Sequence, residues 1–177
     1  MRRLLTLAAL ICICAPTALA VPPTGTDASV SRACKAQRNT MGMTAFRLLY
    51  APAGTPKAAM DACVAQQAQL VSTETKNAAK ACRAERGTTT ASRSAFEERY
   101  GDNGNKKNAF GKCVSSQVAT EVAERQEATV NAAKACKTER GTTVASRAAF
   151  AEAYGTNANK KNAFGKCVSE KAKAAQD

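Results

Sequence analysis

The sequence predicts an all-α fold: a tandem three-unit helical array, stapled by a disulfide inside each repeat, with long helices shared between successive repeats. Three observations carry this prediction. Asn77–Gln117 and Asn131–Lys171 align without a gap and are identical at 31 of 41 positions, and self-similarity at such a period marks stacked supersecondary units. Each copy has a cysteine near either end, Cys82 with Cys113 and Cys136 with Cys167, and a degenerate copy over residues 29–69 carries Cys34 and Cys63. The spacers between copies, Lys57–Arg86 and Lys112–Arg140, contain neither Gly nor Pro, so nothing in them interrupts a helix.

Residues 1–20 have the organisation of an export signal. Arg2 and Arg3 give a positive start, Leu4–Cys14 is an apolar run of eleven residues, and Ala18-Leu19-Ala20 is a small-x-small cleavage site, placing the mature start at Val21. The run is shorter than the about 20 residues needed to span a bilayer. Residues 21–28 read as a short leader rich in Pro and Gly. The mature chain then has 157 residues and six of the eight cysteines. With Arg2 and Arg3 removed it holds 24 basic against 14 acidic residues, a net charge of +10.

Within repeats 77–117 and 131–171 the local signals recur in order. The motif C-[KR]-[AT]-E-R ends at Gly87 and Gly141, which are placed as helix stops. A short helix follows, opened by Thr88 or Thr89 as a cap and closed by Gly101. A polar loop, GDNGN or GTNAN, leads to Asn105 and Asn159 as expected caps of the next helix. That helix is expected to run from about Lys106 to Arg140, because Phe110, Val114, Val118 and Val122 recur at four-residue steps and Val130, Ala133 and Cys136 continue the stripe. Upstream, Thr55-Pro56 is a cap-then-N1 pair opening a second long helix through Met60, Val64, Gln67, Val71, Ala78 and Cys82. The first copy departs from the pattern in its loop, Ala51–Pro56, as terminal repeats of a stack often do.

Helical spacers constrain the cysteines. Cys63 and Cys82 would stand about 28 Å apart on one helix and Cys113 and Cys136 about 34 Å apart, whereas a disulfide needs Cα atoms within about 7 Å. The natural pairing is Cys34–Cys63, Cys82–Cys113 and Cys136–Cys167. Each bridge closes a loop worth roughly 3.5–4 kcal/mol in the chain-entropy model, a large share of the stability of a unit of about 40 residues. Redox or metal-binding cysteines would need C-x-x-C spacing or histidine partners, and the mature chain has neither.

The eight Phe and Tyr recur in place: Phe46, Phe96 and Phe150; Tyr50, Tyr100 and Tyr154; Phe110 and Phe164, with Met60 in the first copy. They are expected to be core, since little else in each repeat is large enough to fill it. Gly111 and Gly165 sit two residues before a cysteine inside the expected helix, and a close backbone approach beside the disulfide would explain them.

The motifs AKAC-[RK]-[AT]-ERGTT-x-ASR-x-AF and NKKNAFGKCVS resemble repeats in small exported proteins of high-GC Gram-positive bacteria. The resemblance covers most of Ala28–Lys171 and is closest in the last two copies. It implies export and the repeat, and it implies no activity.

Catalytic chemistry finds little in this chain: no histidine, no nucleophile elbow, no zinc motif and no phosphate-binding loop. No cofactor and no metal site are expected. The basic residues are the remaining candidate functional surface. Lys106, Lys107, Lys112 and their counterparts Lys160, Lys161 and Lys166 form two Asn-Lys-Lys-Asn-centred patches 54 residues apart. Cations at a helix start oppose its dipole, so these lack the structural explanation available to Lys80, Arg83 and Arg86, which approach a helix end. A solvated face is the plain interpretation. The functional one is an anion-binding surface for an anionic envelope polymer, a lipid surface or extracellular nucleic acid, without sequence-specific nucleic-acid recognition. The expected function is therefore a secreted or cell-envelope protein, not an enzyme, with a structural or binding role. The alternative is a small secreted enzyme or enzyme inhibitor with an unrecognised site.

Overall fold

The computed structural model describes residues 27–176. The expected signal peptide and most of the leader lie outside them. Among the described residues all regular structure is helical: α1 (Asp27–Met41), α2 (Met43–Tyr50), α3 (Pro56–Arg86), α4 (Thr90–Tyr100), α5 (Ala109–Arg140), α6 (Val144–Tyr154) and α7 (Ala163–Ala174). The first helix already includes Asp27 and Ala28, which the sequence reading gave to the leader.

The two long helices are continuous through the spacers. Thr55 caps α3, its hydroxyl accepting from the Ala58 N–H, with Pro56 in the first turn. The Ser72–Thr75 stretch does not break the helix, because Thr73 and Thr75 turn their hydroxyls onto the carbonyls of Gln69 and Val71 one turn back. The buried positions of α3, Ala59, Cys63, Gln67, Val71, Glu74, Ala78 and Cys82, advance in fours with one step of three. That near-3.6 period keeps one face inward for the whole helix. On α5 the corresponding face is Ala109, Cys113, Val118, Val122, Gln126, Val130, Ala133 and Cys136.

The α3 and α5 faces pack together. Their middle is a narrow apolar layer of Val71, Ala78, Val118 and Val122. It is flanked by a buried amide pair, with Gln126 Nε2 donating to Gln67 Oε1 at 3.1 Å, and by an ion pair between Arg125 and the buried carboxylate of Glu74 at 3.1 Å. Asn77 Nδ2 also donates to Glu74, so this buried charge is held from two sides.

Three disulfides join Cys34 to Cys63, Cys82 to Cys113 and Cys136 to Cys167, with Cα separations of 6.0, 6.1 and 6.1 Å. In each stapled unit the short helix lays a phenylalanine and a tyrosine on one face, with ring centroids 4.8 Å apart at Phe46–Tyr50, Phe96–Tyr100 and Phe150–Tyr154. The phenylalanine is buried in every unit. The tyrosine hydroxyl reaches back to the residue three after the first cysteine: Gln37 at 2.6 Å, Glu85 at 3.0 Å and Glu139 at 2.7 Å.

The arrangement of units differs from a linear stack, in which each repeat touches only its neighbours. Unit two stands alone at one end, where α4 packs only on α3 and α5 among the described elements. Its core is Cys82, Phe96, Ala109 and Cys113. At the other end the first and third units merge. Cys34, Phe46 and Cys63 share one buried cluster with Cys136, Phe150, Phe164 and Cys167, and α2 packs directly on α7 and α5. The chain folds back because α3 and α5 pair side by side, which returns the third unit to the first.

Gly111 and Gly165 do not mark the close backbone approach expected of them. A Cβ on Gly111 would meet nothing within 4 Å, and one on Gly165 would stand 3.7 Å from the Leu49 carbonyl, an ordinary contact.

Candidate functional site

The polar loop of each late repeat positions the candidate lysines, and it does so differently from the sequence expectation. Asn105 and Asn159 do not cap the third helix. Their side chains accept from the N–H of Lys107 and Lys161 two residues on, an Asx turn that tightens the loop. The helices start later, at Ala109 and Ala163, after Asn108 and Asn162. The side chains of these asparagines fold outward to the loop: Asn108 bonds Asp102, and Asn162 bonds Thr156.

Between the turn and the helix, Lys106 and Lys160 adopt φ of 56° and 52°, a left-handed conformation uncommon for a residue with a side chain. Their ammonium groups fold back onto the carbonyls of Gly101 and Gly155, at 3.0 and 3.2 Å, the residues that end α4 and α6. They also reach Glu98 and Glu152 at 3.6 and 3.4 Å. A cation on helix C-terminal carbonyls is favoured by the dipole and satisfies an orphan acceptor. Lys106 and Lys160 therefore have the structural explanation that the sequence left without one.

The other candidates divide. Lys112 pairs with Asp102, and that contact, with Asn108 as the second donor, holds the Asp102 carboxyl below its ordinary value. Lys166 is exposed, and the position matching Asp102 in its loop is Thr156, which cannot pair with it. Lys107 and Lys161 are exposed, with side chains unpartnered among the described residues. They lie at opposite ends of the molecule, in units whose cysteines Cys113 and Cys136 are about 34 Å apart along α5.

Two arginines that the sequence reading did not select as candidates join the patch of the third unit. Arg140, the last residue of α5, and Arg147 on α6 flank the tight turn at Gly141, whose φ is 63°. With Lys160 and Lys161 they surround a cavity of about 270 Å³ walled by Leu48, Pro52, Phe150 and Phe164. Burial, and then the neighbouring charge of Arg147, pull Arg140 below its usual value. Tyr154, Glu139 and Lys171 form a separate set beside it. The Tyr154 hydroxyl and the Lys171 ammonium at 3.2 Å both hold the Glu139 carboxyl below the usual range. The sequence signal for the arginine pair was the seven-residue spacing across a glycine turn. Its meaning depends on Leu48 and Pro52, which arrive from the first unit.

A second cavity, about 320 Å³, lies between α2, α3, α5 and α7. Two of its polar groups are committed elsewhere, Arg125 to Glu74 and Gln67 to Gln126. No helix among the described residues is long and apolar enough to cross a membrane, and no group of three or more His, Cys, Asp or Glu side chains among them is placed to hold a metal ion. No protein-family model, no curated protein and no solved structure matches the chain.

Proposed function

We propose that this is an exported, non-enzymatic protein of the cell envelope or extracellular space, a rigid stapled scaffold that binds an anionic polymer or surface through the cations at its two ends. The observation that carries this reading is the pair Lys107 and Lys161. They are equivalent, exposed and unpartnered among the described residues, and one stands at either end of the α5 helix. The Asx turn fixes the backbone at each lysine, and two weak sites on one rigid body act together on an extended polyanion. Three intramolecular disulfides suit an oxidising compartment outside the cytoplasm, and the export signal read from residues 1–20 agrees with it.

The test compares the oxidised protein from Val21 onward with its Lys107→Gln, Lys161→Gln, Lys166→Gln variant on an immobilised sulfated polysaccharide, with DNA and anionic vesicles alongside. The parent should be retained at low salt and released as salt rises, since exposed charges are screened within about 8–10 Å near physiological ionic strength. The variant should elute at distinctly lower salt. Equal retention of the two proteins would refute the role of these lysines, and a parent that binds no polyanion at low salt would refute the reading as a whole.

A further inference from the structure

We propose that the cavity ringed by Arg140, Arg147, Lys160 and Lys161 is a binding site for a phosphate ester, with the phosphate on the arginines and its organic group against the apolar wall. The proposal rests on the anion-binding reading above and gives it a specific site. Four cationic side chains line one cavity of about 270 Å³, and the carboxylate paired within the ring is Glu152, held by Lys160 at 3.4 Å. Arg140 and Arg147 have no acidic partner among the described residues. Both arginines line the cavity, the charge of Arg147 acts on Arg140, and an anion shared between them offsets that repulsion. Arginine forks match the oxygens of a phosphate and hold them through paired hydrogen bonds. Part of the lining is apolar, with Phe150, Phe164 and Leu48, so a bare ion leaves this surface uncovered, and an ester with a small organic group covers it. A volume at the lower end of ligand pockets suits a small group rather than a bulky one.

The second unit supplies an internal comparison. It has the matching cations Arg86, Arg93, Lys106 and Lys107. There α4 meets only α3 and α5 among the described elements, and the Arg86 guanidinium lies over the Phe110 ring, 5.7 Å from its centre. In unit three Leu48 and Pro52 come from α2 and the turn after it. The site therefore depends on the first unit docking on the third, and among the described elements nothing docks on α4 besides α3 and α5.

The experiment titrates the oxidised protein with glycerol phosphate, and with vesicles containing phosphatidylglycerol, following backbone amide shifts. Shifts should concentrate at residues 140–147 and 159–164. Arg140→Gln with Arg147→Gln should weaken binding about tenfold or more, the loss of two charge-assisted hydrogen bonds. Arg86→Gln with Arg93→Gln should leave it unchanged. Binding of the free ester assigns the site to a soluble or polymer-borne phosphate. Binding confined to vesicles, and lost in the unit-three variant, assigns it to a lipid headgroup. Equal losses in the two variants, or shifts spread evenly over both units, would overturn the site. If the parent is retained on polyanions yet ignores both probes, this proposal falls and the general reading stands. If it binds neither polyanion nor probe, both fall.

Discussion

Replacing Cys82 and Cys113 together by alanine, beside the same change at Cys136 and Cys167, separates what the bridges contribute from what the cores contribute. Both bridges close spans of 31 residues. For that span the chain-entropy model gives about 3.7 kcal/mol at 25 °C in either case. Each double variant should lose about 3–5 kcal/mol in urea titrations once the small cavities left by sulfur are included. At about 2–4 °C per kcal/mol for a chain of this size, Tm should fall by roughly 6–20 °C. The local outcome should differ. Without its bridge, α4 retains Phe96 as its one fully buried anchor, with Tyr100, Phe110 and Val114 half-covered, and burying one phenylalanine is worth about 2–3 kcal/mol. Without its own bridge, α6 keeps Phe150 in a cluster that includes Phe46, Phe164 and Val168. Hydrogen exchange should therefore show α4 unprotected in the Cys82→Ala, Cys113→Ala protein while the amides around Val122 stay protected. In the other variant α6 should remain protected. Equal protection of α4 and α6 in their respective variants would refute the argument from unequal cores. A loss below about 1 kcal/mol in both would refute the loop-entropy argument.

Three further outcomes follow from particular contacts. Gly141→Ala should cost about 1–3 kcal/mol, because φ is 63° there and the new Cβ would stand 2.6 Å from Ser146 Oγ; Gly111→Ala, in an open helical position, should stabilise by about 0.5–1 kcal/mol, and chemical denaturation reads both. Arg125→Ala should destabilise by about 1–3 kcal/mol, since it leaves the buried Glu74 carboxylate with Asn77 as its remaining partner among the described residues; adding Glu74→Gln should recover part of that loss, and no recovery would mean the pair is not the cause. Tyr50 is pushed up to about 12 by burial; a raised value means its contribution is complete below pH 10, its unfolded range, and is lost as pH climbs through 12, so the stability of the parent should fall by roughly 2–3 kcal/mol across that window and that of Tyr50→Phe by distinctly less.

Local features of this fold are legible in the residues because they are decided locally. The absence of Gly and Pro made α3 and α5 continuous, the rise per residue then excluded bridges along one helix, and Thr55 and Thr89 each cap the helix they precede. The loops were less legible. Three asparagines in Asn103–Asn108 compete for the cap, and the choice of Asn108 follows from Lys106 taking a left-handed backbone that its own type disfavours. That conformation is compensated by the bond to Gly101, a contact with no periodic signature. The meeting of the first and third units was not legible at all. It depends on the relative rotation of two long helices, across which Gln67 meets Gln126 and Glu74 meets Arg125, and of these four only Gln67 lay on the stripe read from the sequence. The cavity of the third unit inherits that difficulty, since Leu48 and Pro52 in its wall come from the first unit.

Docking of the first unit on the third also bears on how the array can grow. An open solenoid lengthens by duplication, because its last repeat always presents a face for one more. Here α2 already packs on α5 and α7. A further copy that used this surface would have to displace the first from it. The drift of that copy, with Met60 where the others have phenylalanine and a proline-containing turn where they have the asparagine loop, is then the shape of a plug: a repeat whose sequence answers to its partner across the molecule more than to its siblings along the chain.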